Sequence, residues 1–467
     1  MEDDKINAKP FKNIINLSCY MENLTNSAEE VLVDSLSFKL PGSGQYVTER
    51  RSTTWHTEGS NAYSPLSGTK VIRFRMAGEG WMDPSTFRIM FDVVNLDPGT
   101  SGAPKVLRPI GRPHAFFRRL RIAVRGQIIE DIDNYNRVSE LFHILQSPQS
   151  RLNDEAEAFG YGDDITKLHT TSFFPGITDK QTVMFKPLSG LLSQTKYLPL
   201  RYTPLEIELE LAEMDDPIVS FPNANTMFTT ADTSESWRIE NCMVKVDMCT
   251  LDNALDNSYV SHLLSGKTLN IVYNTFISSL QTVVSAETQI NVSRGLSKMK
   301  SLFMTLDKNL LNADGTATSR AVYYNKRWNN FWSPLAGTGA PLTAVSATEA
   351  ASEIQLLQLV IGSKLFPEYP MKSHAECYYS LRKALGVQAN NLHNVDITGL
   401  EYRNNKFIVG FDTEKLLGLS FTGYNTRNSL MTMRLKTPVG GQPDRMHIVL
   451  LSEQIMEVGD VGIMVYD

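Results

Sequence analysis

Hydrophobic residues in this chain recur at every second position far more often than at helical spacing, and that alternation is what a half-buried β-strand requires. In Lys70–Ala77, Ile72, Phe74 and Met76 share one face and Arg73 and Arg75 the other. Phe87–Leu96 sets Phe87, Ile89, Phe91 and Val93 against Arg88 and Asp92, and Arg118–Arg125 sets Leu120, Ile122 and Val124 against Arg119, Arg121 and Arg125. The most regular case is Leu205–Leu211, where Leu205, Ile207, Leu209 and Leu211 alternate with Glu206, Glu208 and Glu210. A β-rich run, Trp237–Leu251, leads into Asp252–Ser265, whose Leu255, Tyr259, Leu263 and Leu264 have helical spacing before a stop at Gly266. Alternation then restarts in Thr268–Val283, in Gln289–Leu306 as two pieces, and in Lys406–Phe411, Ser429–Lys436, Met446–Leu451 and Val461–Tyr466.

The same texture therefore occurs twice, and the few helices fall in matching places. Asn134–Leu145 carries Val138, Leu141, Phe142 and Leu145 on one face, and Ser373–Leu385 carries Cys377, Leu381 and Leu385. The halves share architecture without sharing sequence. This predicts an all-β chain of two domains split near Gly266, each closing its edges as a sandwich or barrel, with a jelly roll suiting the strand count. Asp215–Glu235 and Lys308–Ala351 are long polar loops, of the kind that belongs to an interface. Met1–Glu30 alternates little and reads as an N-terminal arm.

With 467 residues, 42% of them hydrophobic, each half is long enough for its own core. Forty-five Lys and Arg against 51 Asp and Glu give a net charge of −6, so the chain is no general polyanion binder. Cys19, Cys242, Cys249 and Cys377 are scattered and read as free thiols of a reducing compartment. The acidic start, Met1-Glu2-Asp3-Asp4-Lys5, lacks a signal peptide's pattern, and the apolar run Leu356–Ile361 is too short to span a bilayer. The expectation is a non-secreted chain, with the glycosylation patterns at Asn16, Asn23 and Asn291 unmodified.

Candidate chemistry is sparse. The eight histidines, His56, His114, His143, His169, His262, His374, His393 and His447, lack metal-ligand spacing. No phosphate-cradling glycine loop or nucleophile elbow occurs. Asp163-Asp164 and Asp215-Asp216 are paired loop carboxylates and Glu206, Glu208 and Glu210 a stripe, the kind of groups a glycan-cleaving enzyme would need. An amphipathic strand yields the same stripe as a solvated or subunit-facing sheet face. The basic segment Arg108–Arg125, with Arg112, Arg118, Arg119 and Arg121 around Phe116 and Phe117, offers phosphate contacts. The favoured reading is an outward strand face whose arginines pair with carboxylates across the sheet or a subunit boundary. No catalytic, cofactor-binding or metal-ligating residue is assigned.

Two stretches carry a resemblance. Lys196-Tyr197-Leu198-Pro199-Leu200 running into Pro204–Leu211, and then Trp237–Gly266 leading into Thr268–Phe276, resemble the late strands and the inter-barrel junction of double jelly-roll major capsid proteins. Phe411–Lys415, Ser420–Thr426 and the strand Ser429–Lys436 resemble the closing segment of the second barrel, particularly in polinton-like viruses and virophages. The likeness of layout covers about Val31–Asp467, and the chain is shorter than the large-virus members.

The resemblance implies two tandem eight-stranded jelly-roll barrels with short helices and long inserted loops: an arm at 1–30, a first jelly roll at 31–265 and a second at 266–467. It implies a non-enzymatic major capsid protein, a homotrimer forming pseudo-hexagonal capsomers of an icosahedral shell. Neighbouring capsomers, penton and minor capsid proteins would be partners, and some relatives enclose an internal membrane. The chain would be made in the host cytoplasm and reside in the virion, without direct nucleic-acid contact. A tandem jelly-roll glycan-acting enzyme and a carbohydrate-binding or receptor-binding β protein are the alternatives.

Overall fold

Alternating runs can hide their apolar faces only by pairing into sheets that pack face to face, and the computed structural model shows four such sheets. It describes residues 46–66, 70–97, 111–159, 180–214, 236–308, 354–387, 395–403, 406–414, 423–438, 442–459 and 462–466, with shorter pieces between. The principal strands are β1 (Val47–His56), β2 (Val71–Met76), β3 (Arg88–Asn95), β4 (Phe117–Val124), β5 (Gln127–Ile132), β6 (Lys180–Phe185), β7 (Leu205–Leu211) and β8 (Trp237–Leu251). After them come β9 (Leu269–Thr282), β10 (Glu287–Val292), β11 (Met299–Asp307), β12 (Leu356–Ile361) and β13 (Lys364–Met371). The last are β14 (Ile408–Asp412), β15 (Met431–Lys436), β16 (Arg445–Val458) and β17 (Ile463–Tyr466).

The first two sheets run β1-β8-β3-β6 and β2-β7-β4-β5, and the next two run β9-β16-β11-β14 and β10-β15-β12-β13. Adding eight to every strand of the first pair gives the second. This is the jelly-roll order, two Greek keys wrapped into a pair of four-stranded sheets, and it occurs twice. β17 is an addition, hairpinned onto the end of β16. Strands of the first two sheets all precede α3 (Asn253–Leu264), and strands of the last two all follow it. Residues Thr48–Asp467 pack as one compact unit.

Register explains the alternation. Ile207 in β7 lies between Phe74 of β2 and Ile122 of β4, and all three are buried. Each such side chain removed from water contributes about 1.5–3 kcal/mol. Corresponding hairpins close in both barrels. Between β4 and β5, Arg125 and Gly126 take φ of 50° and 79°, the left-handed pair a two-residue turn needs. Between β12 and β13, Gly362 takes φ 60°.

The helices also correspond. α1 (Tyr135–Ile144) and α2 (Pro148–Glu155) lie between β5 and β6, and α4 (His374–Ala384) and α5 (Gly399–Tyr402) between β13 and β14, the same step in each barrel. α4 begins with a full capping box, Ser373 receiving the Glu376 N–H while the Glu376 carboxylate receives that of Ser373.

Strands β1, β5, β6 and β13, together with α2 and α5, are not apparent from hydrophobic periodicity, and Leu356–Ile361 proves to be the central strand β12. Among the earlier expectations, the arm Met1–Glu30, Arg108, Asp163-Asp164, Asp215, His169, His393, Cys19, Asn16 and Asn23 lie outside the described residues, as does most of the loops Asp215–Glu235 and Lys308–Ala351. No described helix is long and apolar enough to cross a membrane.

Candidate functional site

Two sets of side chains are assembled by this fold: a charged sheet face and a seam between the barrels. The face belongs to β2-β7-β4-β5. Its glutamate stripe and its arginines, read separately along the chain, meet through register. Glu208 stands between Arg73 of β2 and Arg121 of β4, and receives hydrogen bonds from both, at 2.7 and 3.3 Å. Glu206 takes one from Arg75 at 2.9 Å, and Arg75 also lies 3.5 Å from Glu58. Arg119 grips Asp131 of β5 with two bonds of 2.7 and 2.6 Å, and that bond first, then the neighbouring carboxylates, pushes its guanidinium further toward the charged form. The row Arg73, Glu208, Arg121, Asp131 reads plus, minus, plus, minus across the sheet. Arg112 is not on this face: it is buried near α2, 2.6 Å from Glu155. Arg118 is exposed on β4.

The seam is set by α1. Arg137 projects from it to Asp307 at the end of β11, with Nη1 to Oδ1 at 3.2 Å, and donates from Nη2 to the Leu306 carbonyl at 3.3 Å. Arg445 of β16 donates to the other Asp307 oxygen at 2.8 Å, and the Phe331 ring lies 5.0 Å from the Arg137 guanidinium. His447 is buried beside these arginines. Burial, then Arg137 and Arg445, hold its imidazole neutral, well below the ordinary histidine range, and its Nε2 is paired with the Ser278 hydroxyl at 2.7 Å. Five residues further along α1, Phe142 inserts against Phe276 of β9 and Phe303 of β11, with ring centres at 4.8 and 5.3 Å.

Beside the seam lies a cleft of about 830 Å³, lined by Arg112, His114, Ser139 and His143 from the first half and by Leu385 and Val387 from the second. His114 pairs with Glu140 at 3.3 Å; burial is the main cause lowering its imidazole. His374 is likewise held neutral by burial, down to about 4, with Ser333 at 2.8 Å. Among the described residues no three His, Cys, Asp or Glu side chains converge as a metal centre. Glu130, a carboxylate with a strongly raised proton affinity, is buried against Ser189, Gly190 and Leu191. The arrangement is mechanical: it locks two barrels together and neutralises a broad face.

No protein-family model and no curated protein matches the sequence. Solved structures do match. A chain of the PBCV-1 virus capsid superposes with a TM-score of 0.56 at 11% identity, covering 92% of this chain and 99% of that one. The Faustovirus major capsid protein gives 0.56 at 9%, covering 98% and 100%. The chain has the double jelly-roll fold of viral major capsid proteins. A chain of the Sputnik virophage particle gives 0.53 at 9% identity, covering 93% and 92%. Nothing in the described residues or the comparisons favours the glycan-acting or carbohydrate-binding reading.

Proposed function

We propose that this protein is the structural subunit of an icosahedral viral shell, three copies closing into a pseudo-hexagonal capsomer. The carrying observation is the strand order repeated at an offset of eight in one compact unit. Three such chains present six barrels of one topology, so a six-fold position is filled with three-fold symmetry and each contact is used three times. The domains are the two jelly rolls at 31–265 and 266–467 with an arm at 1–30. The protein is not an enzyme; its work is to hold geometry, through the seam and the outer faces.

Partners follow from that role: neighbouring capsomers, a penton protein where five-fold vertices interrupt the tiling, minor capsid proteins, and in some shells an underlying membrane. Direct nucleic-acid contact through β4 is disfavoured, because Arg119 and Arg121 are already neutralised by Asp131 and Glu208. The chain would be made in the host cytoplasm and function in the virion. Native mass measurement tests the reading. A species at three times the 52.4 kDa chain mass is expected, with six-lobed rings in negative stain. A persistent monomer at assembly concentrations would overturn it.

A further inference from the structure

The segment between β6 and β7 crosses from the first barrel onto the second. Its Gly190 rests on the backbone of β9 so closely that a Cβ there would stand 1.4 Å from the Asn274 carbonyl oxygen. A little further on, Lys196 Nζ donates to the Asn270 carbonyl at 2.7 Å. The other side of the segment is held by two buried side chains of the first barrel. Tyr135 Oη accepts the Leu188 N–H at 2.7 Å, and Glu130 Oε1 accepts the Gly190 N–H at 2.9 Å. Glu130 Oε2 is bonded to the Ser189 hydroxyl, whose oxygen accepts the Leu192 N–H at 3.2 Å. A bulge in the β4–β5 pairing puts Glu130 opposite Ile122, on the buried side of the strand with Ile132.

We propose that Glu130 is a proton-operated latch on the seam: with its carboxyl neutral the segment stays seated on β9, and ionisation loosens it. The groups facing it are Ser189, Gly190 and Leu191 of the segment and, from α1, Tyr135, whose phenol burial keeps neutral. Among the described residues no cation offsets the charge. An ionised Glu130 is therefore a buried anion held only by neutral donors, and such a group favours the proton-bound form. Its carboxyl is raised to about 7, first by burial, against the lowering effect of those donors. The inference goes beyond the shell reading and does not rest on it: the latch is a property of the single chain, and in a shell it would make the inter-barrel joint stiffer in acid.

The test is amide hydrogen exchange of the segment 186–192 in the full chain, corrected for intrinsic rates. If opening returns the carboxyl to its ordinary value, protection falls about 30-fold between about pH 5.5 and about pH 8.5. Glu130→Gln, whose amide can donate to Ser189 and accept from Gly190, is expected to keep protection flat over that range. Identical pH dependence in wild type and E130Q overturns the proposal. Ser189→Ala supplies a second reading that does not depend on E130Q folding: removing one donor to the carboxylate moves the midpoint of the wild-type profile to higher pH. An unmoved midpoint also overturns it.

Discussion

Arg137, Asp307 and Arg445 make the barrel seam testable, because the structure predicts an unequal response to removing either end of one ion pair. Arg137 and Asp307 are both buried, whereas the Arg445 side chain is 46% exposed. Asp307→Asn removes the carboxylate that the buried Arg137 guanidinium meets at 3.2 Å. Burial already disfavours its charge, Asp307 being the main group opposing that. The expected cost is about 3–5 kcal/mol, the range for breaking a buried ion pair by removing one partner. Arg137→Met removes the charge that is hard to solvate, fills much of its volume, and leaves Asp307 paired with Arg445 at 2.8 Å. The hydrogen bond to the Leu306 carbonyl and some packing are lost, about 1–2 kcal/mol. The assay is urea unfolding followed by tryptophan fluorescence and circular dichroism, with coincidence of the two transitions required before free energies are compared. In the Arg137→Met background, Asp307→Asn should become markedly less destabilising, giving a coupling of at least about 1.5 kcal/mol. Equal costs for the two single variants, or a larger cost for Arg137→Met, would refute the reasoning, since Arg445 would then not be sustaining Asp307.

Three further outcomes are expected. Gly190→Ala should cost at least about 3 kcal/mol or prevent folding, since backbone must move to admit the methyl group, whereas Gly399→Ala meets no atom within 4 Å and should be neutral; thermal unfolding compares them. Glu208→Gln should cost only about 0.5–1 kcal/mol at low salt and less at high salt, because its partner Arg73 is mostly solvated; a large, salt-insensitive loss would show that the face is covered. Cys242 is buried and burial alone pushes its thiol up, so alkylation followed by mass spectrometry should find it unmodified until the chain is unfolded.

Much of this fold is legible in the sequence where one face of a strand is apolar and the other charged, as in β2, β4 and β7. Other strands escape for physical reasons. β1 is almost wholly exposed along its first six residues, so no inward row marks it, and β13 is an exposed edge carrying Pro367 and Pro370, residues a central strand excludes. β16 runs on to Val458 although its alternation fails near Ser452, Glu453 and Gln454. These buried polar groups are matched one by one, Ser452 to the Lys298 carbonyl, Glu453 to Lys300 and Gln454 to Tyr273. The glutamate stripe and the arginine cluster are each visible, but only register shows that they are partners. Arg137 and Glu130 give no signal at all, one a single cation on a helix and the other indistinguishable in sequence from the outward acid Asp131 beside it.

The two barrels share a topology but not a surface. Beside the ion ladder of the first, the corresponding face of the second, on β10-β15-β12-β13, carries Glu287 with Lys436 at 3.1 Å, Asn291 with Thr432 at 2.9 Å, and the half-buried Leu356 and Val360 on its central strand. If three chains close a ring as proposed, barrels with and without the ion ladder alternate, and each barrel's ring neighbours are of the other kind. A like pair of ladder faces would set plus against plus wherever the stripes fell in register, and like charges so placed repel. The net charge of −6 then needs no polyanion to balance it. The ladder cancels its own charge within one subunit, so what a neighbour meets is a pattern of alternating sign, and it is the register of that pattern that would select one docking over another.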